Sequence, residues 1–243
     1  MPPADPPRYR ESRPPQELGD HVAAVWVRRG APNDSPPLRV VPDGSADIIW
    51  RRDGPSVTTF AAGPDTQAQL APLTEGSRMV GIRFAPGAAD AVLGVPLDVL
   101  RDLRVPLDEL WGRVANEVAE RLAASDRPEH TLATMVRERI NAPPDPTAVA
   151  IARRIEFAAG PGVVSSVAAV VGVSERHLQR RCRTAFGYGP KTLHQILRFQ
   201  RALRLARAGG RLADVAAVVG YADQSHMARD TRRLAGVPLT ELL

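Results

Sequence analysis

The sequence predicts an α+β protein, with a small antiparallel β-barrel-like region and its following helices, and then an all-α region built from two helix-turn-helix units. Three observations lead to this fold class. Short runs rich in β-branched and aromatic residues, separated by Pro, Gly, Asn and Asp, occupy residues 21–84. Helical apolar spacing replaces them from residue 88 onward. The six-residue segment Val-Ala-Ala-Val-Val-Gly occurs twice, at residues 167–172 and 215–220, which indicates an internal repeat.

Length and composition indicate a soluble globular chain. With 243 residues, 44% hydrophobic and 24% charged, two modest domains are expected. No apolar run approaches the roughly 20 residues of a membrane span, and residues 1–7 lack the apolar core of a secretion signal. We therefore expect a cytoplasmic protein with no membrane partner. The single cysteine, Cys182, excludes an intrachain disulfide and a cysteine-rich zinc site.

Charge divides the chain. Residues 1–143 carry a net charge of −3, whereas residues 144–243 carry +8. This asymmetry predicts that the C-terminal region meets a polyanion and that the N-terminal region has a different task.

The N-terminal region is predicted to form strands after a proline-rich loose arm at residues 2–16. The strand-like runs share close turns and β-branched content; they lie at residues 21–29, 38–41, 47–51, 57–62 and 78–84. Five or six short strands of this kind predict a small antiparallel barrel or sandwich.

Helices are predicted next, at residues 88–93, 97–103, 107–111, 114–123 and 130–140, with Asp98, Asp108 and Asp126 near helix starts. The last two helices have apolar residues four apart: Val114, Val118 and Leu122, then Leu132, Val136 and Ile140. Such amphipathic helices either cover the barrel or pair with a second copy of the chain.

The clearest linker lies at residues 141–146. It divides the chain into an N-terminal sensor or dimerisation domain (1–143), a linker (144–146) and a C-terminal domain (147–243). Thr147 is the expected cap of a helix at residues 148–159, which Gly160-Pro161-Gly162 stops.

Each copy of the repeat predicts a helix-turn-helix unit. Gly172 and Gly220 lie where a chain leaving a helix needs positive φ, and Ser174 and Asp223 can cap the second helices, 175–186 and 224–235. The second turn is one residue longer. With Leu178 and Met227 inward, the outward residues are Gln179, Arg180, Arg183, Gln224, Ser225 and Arg229. Arg and Gln make bidentate bonds to guanine and adenine in the major groove, so these residues predict DNA recognition.

A long helix at residues 190–208 connects the two units. Its 19 residues span roughly 28 Å, which suits two reading helices about one DNA turn, roughly 34 Å, apart. Arginines recur at every third residue on it: Arg198, Arg201, Arg204 and Arg207. They either reach phosphates or form a solvated face.

The C-terminal residues resemble the AraC/XylS family of transcription regulators. The resemblance rests on the residues from Val173 to Arg181 (VSERHLQRR), on Gly189-Pro190, on Gly220 to His226 (GYADQSH) and on Gly236-Val237-Pro238, and it covers residues 147–243. It implies seven helices, with Arg176, Gln179 and Arg180 reading bases in the first unit and Gln224, Ser225 and Arg229 in the second. Similar proteins usually have core aromatics where this chain has Cys182, Thr231 and Met227. This departure implies compensating packing or a weaker second unit.

The N-terminal residues look like the sensor region of one branch of that family. The resemblance rests on Pro42-Asp43-Gly44, on Asp47 to Trp50 (DIIW), on Ala62-Gly63-Pro64, on Val80 to Phe84 (VGIRF) and on Pro86-Gly87-Ala88. It implies a barrel-like, cupin-like module that senses a ligand or mediates association.

Ligand-binding candidates are the aromatic residues of the strands with nearby polar groups: Trp26, Trp50, Phe60 and Phe84, then Asp43, Asp47 and Arg83. The alternative is that the aromatics form plain core. A metal-dependent cupin enzyme needs clustered His and Glu, and only His21 lies among the strands. His177, His194 and His226 lack metal-ligand spacing and are expected at the surface or near phosphates. We expect no metal, no cofactor and no catalytic site.

The sequence therefore predicts a sequence-specific, DNA-binding transcription regulator, modulated by a small-molecule effector or by self-association through its N-terminal domain. Its expected partner is double-stranded DNA; an effector, a second copy of the chain and RNA polymerase are further candidates. Two alternatives stay open: a non-specific architectural DNA-binding protein, and an enzyme domain tethered to a DNA-binding domain.

Overall fold

The α+β fold class is confirmed by a computed structural model, which describes residues 9–30, 32, 36–71, 74–158, 160 and 162–243. An antiparallel sheet with its own helices comes first, and an all-helical part follows. Residues 2–8 of the predicted arm, and Pro161 of the predicted Gly-Pro-Gly stop, lie outside the described residues. Among the described helices none is both long and apolar enough to cross a membrane.

The main sheet has six antiparallel strands. The eight described strands are β1 (Tyr9–Ser12), β2 (Val22–Arg29), β3 (Leu38–Val40), β4 (Asp47–Asp53), β5 (Ser56–Ala62), β6 (Gln69–Ala71), β7 (Arg78–Phe84) and β8 (Arg104–Pro106). Their order in the main sheet is β1-β2-β7-β4-β5-β8, and β3 pairs with β6 in a separate two-stranded ribbon. The main sheet is open, because β1 and β8 each pair with one strand in the described part of the chain.

Helices cover one face of this sheet. They are α1 (Ala89–Leu93), α2 (Leu107–Trp111), α3 (Arg113–Ala123) and α4 (Pro128–Arg139). Helix α3 packs on β5, and α4 packs on β7 and β2. Val118, Leu122, Leu132 and Val136 are buried in the same core as Ile48, Trp50 and Ile82 of the sheet. Of the two predicted roles for these helices, covering the sheet is the one that the structure contains, although Val114 is 44% exposed. Pairing with a second copy stays a prediction.

The sequence prediction missed three strands, β1, β6 and β8, and the helix that it placed at residues 97–103 is wrong. Tyr9–Ser12 is an edge strand and not part of a loose arm, because its backbone pairs with β2. Residues 97–103 form a short 3-10 turn, Leu97–Val99, before β8 pairs with β5. Strands of three or four residues depend on a neighbouring strand for their hydrogen bonds, so their own sequence contains little signal.

The C-terminal part contains six helices and a terminal 3-10 turn, Leu239–Leu242, among its described residues. The helices are α5 (Pro146–Phe157), α6 (Val163–Val171), α7 (Glu175–Phe186), α8 (Pro190–Arg207), α9 (Leu212–Val218) and α10 (Gln224–Ala235). Helix α8 lies in the centre, where Leu193, Ile196 and Phe199 are fully buried. The cap of α5 is Asp145 and not the predicted Thr147, because the Asp145 carboxylate accepts the Thr147 N–H at 2.9 Å.

The two parts of the chain are in direct contact. His21 Nε2 lies 2.9 Å from the carbonyl oxygen of Ala142, which holds the predicted linker against the sheet. Gly187, at the end of α7, lies so close to the N-terminal part that a Cβ there would meet Pro64 Cγ at 2.4 Å. The domain boundaries drawn from the sequence stay a prediction.

Candidate DNA-reading surface and ligand cavity

Both repeat units have the predicted helix-turn-helix geometry. Gly172 and Gly220 adopt φ of 73° and 82° after the first helix of each unit. Ser174 Oγ then accepts the His177 N–H at 3.2 Å, and Asp223 Oδ1 accepts the His226 N–H at 2.6 Å. Capping the exposed N–H groups stabilises the start of each second helix, α7 and α10, typically by about 1 kcal/mol.

Most of the predicted base readers are exposed on α7 and α10. The exposed ones are Arg176, Arg180, Arg183, Gln224, Ser225 and Arg229. Gln179 differs, because it is half-buried against the backbone of Gly189, where a Cβ would meet its Nε2 at 2.4 Å. Gln179 and Arg183 also border a cleft of about 440 Å³ with Arg101 and Asp102 of the N-terminal part. Their roles in reading bases stay a prediction.

The cores of the two units differ where the sequence departs from the family pattern. Cys182 is fully buried in α7, and burial raises the pKa of its thiol to about 12. A thiol that stays protonated is unreactive, so Cys182 is a core residue. Thr231 occupies the matching place in α10, and its buried Oγ1 has no hydrogen-bond partner among the described residues.

Each arginine of α8 contacts another element of the helical part. The Arg198 guanidinium stacks on Tyr221 at 3.9 Å and contacts Asp230 Oδ2 at 2.7 Å, with both side chains 12% exposed. Arg201 lies over the Phe157 ring, and Arg204 pairs with Glu156. Arg207 donates to the carbonyl oxygen of Leu242. A fully solvated row is thus wrong for Arg198, which is mostly buried, whereas Arg204 and Arg207 are exposed and their contact with phosphates stays a prediction.

The histidines are held by protein contacts. His177 accepts a hydrogen bond from Arg181 Nε at 2.9 Å, and the His226 ring stacks edge-on against Tyr221. The surface prediction is wrong for His194, which is buried with Nε2 3.0 Å from the carbonyl oxygen of Ala158. Burial lowers the pKa of His194. Among the described residues, no three His, Cys, Asp or Glu side chains are grouped so that they could hold a metal.

A cavity of about 1120 Å³ lies mainly on the sheet face opposite the helices α1 to α4, and it extends past the sheet edge to Asp108 of α2 and to Ala115, Asn116 and Ala119 of α3. The main sheet forms its floor, the β3/β6 ribbon forms one wall, and Gln200, Leu203 and Arg207 of α8 form another. Side chains alternate between the two faces of a strand, so every second residue of β1, β2, β7, β4 and β5 points toward this space.

Strand register arranges the cavity floor in three rows. The first row runs Tyr9, Arg28, Met79, Arg51 and Thr58. The middle row contains Glu11, Trp26, Gly81, Ile49, Phe60 and Pro106, with the Trp26 ring lying over Gly81. The third row runs Arg83, Asp47, Ala62 and Arg104. The floor is therefore apolar along the middle row and mostly polar on both sides of it.

Asp47 is the acidic residue of the third row, and its surroundings change its pKa. Its Oδ2 accepts the Trp26 indole N–H at 2.9 Å, and its Oδ1 lies 3.6 Å from Arg83 Nε. Burial and the neighbouring Asp43 raise the pKa of Asp47 to about 7, against the opposing effect of Arg83. Arg83 Nε is 3.0 Å from Asp43 Oδ2, but the pair lacks the alignment of a hydrogen bond. The carboxylates of Asp43 and Asp47 thus share the single guanidinium of Arg83.

Arg28 gives the first row a different character. It is half-buried, and it makes no hydrogen bond or ion pair with any residue that the structure describes. Burial lowers the pKa of its guanidinium. Arg104 of the third row, in contrast, is paired, because it donates to both carboxylate oxygens of Asp65, at 2.9 and 2.6 Å.

Five of the seven predicted ligand-binding residues line the cavity: Trp26, Asp43, Asp47, Phe60 and Arg83. Trp50 does not, because it alternates with Ile49 on β4 and is buried with the helices on the other face; Phe84 lies in that core as well. Sequence analysis missed Tyr9, Arg28, Arg39, Arg104 and Gln200. Arg28 lies two residues after Trp26 on the same strand, so the alternation of strand side chains could have identified it as a lining residue. No neighbouring sequence signal identifies Arg39 or Gln200. Whether any of these residues binds a ligand stays a prediction.

Two capped helix-turn-helix units are joined by one long helix, and the second helix of each unit exposes arginine side chains. This arrangement defines a DNA-binding domain of the kind found in transcription regulators. Residues 167–243 match a family model described as a helix-turn-helix domain. The C-terminal part is therefore a helix-turn-helix domain, a kind of module that binds DNA. Residues 10–106 match a domain of unknown function, DUF6597. A comparison with curated proteins found no match.

Among solved structures, the chain is similar to the C-terminal domain of AraT, a response regulator from Geobacillus stearothermophilus, with 22% identity and a TM-score of 0.38 over 40% of this chain and 84% of that one. A probable AraC family transcriptional regulator from Rhodopseudomonas palustris CGA009 is 24% identical over 41% of this chain and 95% of that one, with a TM-score of 0.35. ToxT from Vibrio cholerae, bound to an unsaturated fatty acid, is 13% identical over 85% of this chain and 88% of that one, with a TM-score of 0.45.

Proposed function

We propose that this protein binds DNA sequence-specifically through residues 147–243 and that a small molecule in the sheet cavity modulates the binding. The DNA-reading proposal is carried by one observation: both second helices expose Arg side chains and α10 also exposes Gln224, and these residue types pair bidentately with guanine and adenine. The first unit presents Arg176, Arg180 and Arg183 on α7, and the second presents Gln224, Ser225 and Arg229 on α10.

The effector proposal rests on the cavity. Its volume of about 1120 Å³ exceeds what a drug-sized ligand needs, and it combines an apolar middle row with a few polar groups. The half-buried Arg28 and the buried Asp47 carboxylate are groups that a bound molecule could satisfy. The ToxT structure that holds a fatty acid provides a precedent for a small molecule bound to a protein of similar organisation.

Arg180→Ala tests the DNA-reading proposal. Arg180 is exposed, and its one side-chain hydrogen bond among the described residues is to His177 Nδ1, at 3.4 Å, so we expect the fold to be unchanged. A bidentate base contact contributes about 1–3 kcal/mol of discrimination, so specific affinity should fall about 10- to 100-fold. Selection from a random DNA library would provide the preferred duplex, and anisotropy titrations at fixed salt, with random duplex as competitor, would measure the loss.

Arg153→Ala is the matched control. Arg153 is exposed on α5 and carries the same charge, so its loss should weaken binding to all DNA alike without changing discrimination. If the wild type binds selected and random duplexes equally, the protein is an architectural binder and the proposal fails.

A further inference from the structure

The cavity shares a wall with the DNA-reading part of the chain. Helix α8, which connects the two helix-turn-helix units, contributes Gln200, Leu203 and Arg207 to the lining. Gln200 Nε2 donates to the carbonyl oxygen of Pro42 at 2.6 Å, just after β3. A molecule in the cavity would therefore touch the sheet, the ribbon and α8 together.

The ribbon of β3 and β6 is also bonded to the end of the second reading helix. Arg39 on β3 donates from Nη1 to the carbonyl oxygen of Ala235 at 2.9 Å. The backbone N–H of Ala68, one residue before β6, donates to the carbonyl oxygen of Leu234 at 2.7 Å. Both acceptors lie in the last turn of α10, where carbonyl groups lack partners within the helix. The Arg39 cation also suits the negative end of the helix dipole.

Arg39 is itself a cavity-lining residue. Its side chain thus connects the space where a ligand would bind to the C-terminal turn of α10. The ribbon that holds it has three registered residue pairs and no strand of the main sheet as a neighbour among the described residues. A two-stranded ribbon is marginally stable by itself, so it can shift at lower cost than a strand inside the six-stranded sheet.

The first unit is held by a different surface. The end of α7 packs on the 3-10 turn Leu97–Val99, and Gly187 lies against Pro64. None of residues 97–99 is among the residues that line the cavity. Backbone hydrogen bonds from Asp102 to Pro64 and from Gly63 to Leu103 tie this region to itself. Gly63 and Asp65, on either side of Pro64, do line the cavity. Among the described residues, however, hydrogen bonds join the ribbon to α10 and none joins it to α7, so movement of the ribbon acts more directly on α10.

We propose that Arg39 is a positioning residue for the second DNA-reading helix, and that an occupant of the cavity acts on DNA binding by moving the ribbon and with it α10. The first unit then keeps its DNA contacts while those of the second change. This inference rests on the proposed function, since it concerns the regulation of the same site.

Hydrogen–deuterium exchange on the full chain tests the attachment without DNA or effector. Arg39→Met should accelerate exchange of amides 230–236 about 3- to 10-fold and leave amides 180–187 unchanged. Arg39→Lys, which can still donate to Ala235, should restore part of the protection. Arg29→Met on β2 is the control, because Arg29 is exposed and lies outside the cavity lining. Equal exchange in Arg39→Met and wild type overturns the positioning role.

DNA binding separates positioning from a general structural loss. Duplexes carrying base changes in one half-site or the other, derived from the selected sequence, would be titrated with each variant. Arg39→Met should reduce discrimination about 10-fold at the half-site read by α10 and leave the other unchanged, with Arg39→Lys in between. Equal loss at both half-sites overturns the inference.

A cavity-filling substitution replaces the unidentified effector as probe. Ala62 lies on the cavity floor, so Ala62→Phe should change affinity at the α10 half-site in the wild-type background and have little further effect after Arg39→Met. Additive effects overturn the link between cavity and ribbon. A selection that enriches no sequence overturns the proposed function instead, and the exchange comparison still decides whether Arg39 holds α10.

Discussion

At the scale of single residues, the environment of each charged group decides what it contributes. Asp47 and Asp53 lie at the two ends of β4. Burial and Asp43 raise the pKa of Asp47 to about 7, whereas hydrogen bonds from Thr74 and Arg51 lower the pKa of the partly exposed Asp53. The fold thus disfavours the ionised form of Asp47 and favours the ionised form of Asp53.

We expect Asp47→Asn to make the protein more stable than the wild type above pH 7. The folded protein favours protonated Asp47, so its ionisation costs stability progressively between about pH 4 and pH 7 and by a constant amount above. At about 1.4 kcal/mol per pKa unit the gain has an upper bound of about 4 kcal/mol. Asn retains an acceptor for Trp26. Thermal unfolding at pH 4.5, 6 and 8 would measure the change.

Asp53→Asn on the same strand is the control with the opposite sign. Its folded pKa is lowered, so its stabilising effect is present at neutral pH and is lost on acidification. A pH-independent difference between Asp47→Asn and wild type would contradict the assigned ionisation of Asp47.

At the scale of elements, α8 is the scaffold on which both reading units are built. Its buried apolar residues form the centre of the helical core, and its arginines bind the surrounding helices. Arg198 is the innermost of these arginines, between Tyr221 and Asp230. Asp230 lies on α10, so this pair fixes the second reading helix against the scaffold.

Arg198→Met should therefore destabilise the helical part by about 2–4 kcal/mol, because among the described residues it leaves the buried Asp230 carboxylate with only the longer contact to Arg233, at 3.4 Å. Arg204→Met on the same helix removes a pair whose side chains are 59% and 30% exposed, and should cost less than about 1 kcal/mol. Urea unfolding followed by circular dichroism would compare them. Equal losses for the two variants would show that Arg198 is no more important than a surface pair.

At the scale of the whole molecule, glycines permit the close approach of the two parts. Gly187 and Gly172 both end helices with positive φ, of 80° and 73°. The two glycines differ in the free space around them. A Cβ at Gly187 would meet Pro64 Cγ at 2.4 Å and Leu97 O at 3.0 Å, whereas nothing would lie within 4 Å of a Cβ at Gly172.

Gly187→Ala and Gly172→Ala should share a backbone cost of about 1–2 kcal/mol from the left-handed conformation. Only Gly187→Ala should also loosen the contact between the parts, seen as faster hydrogen exchange across residues 97–103. Identical exchange in the two variants would mean that the contact absorbs the extra methyl group without separating.

The sequence by itself determined the α+β class, most of the helices and longer strands, the two helix-turn-helix units and their caps, because these depend on periodicity, capping residues and turn glycines that act locally. It could not place Trp50, whose neighbour Ile49 has similar chemistry but points to the other face of β4. Only the tertiary structure decided that β1 and β8 extend the sheet, that the α8 arginines bind their own domain, and that Arg39 joins the cavity to α10. Those features rest on contacts between residues up to 196 positions apart, which no local pattern encodes.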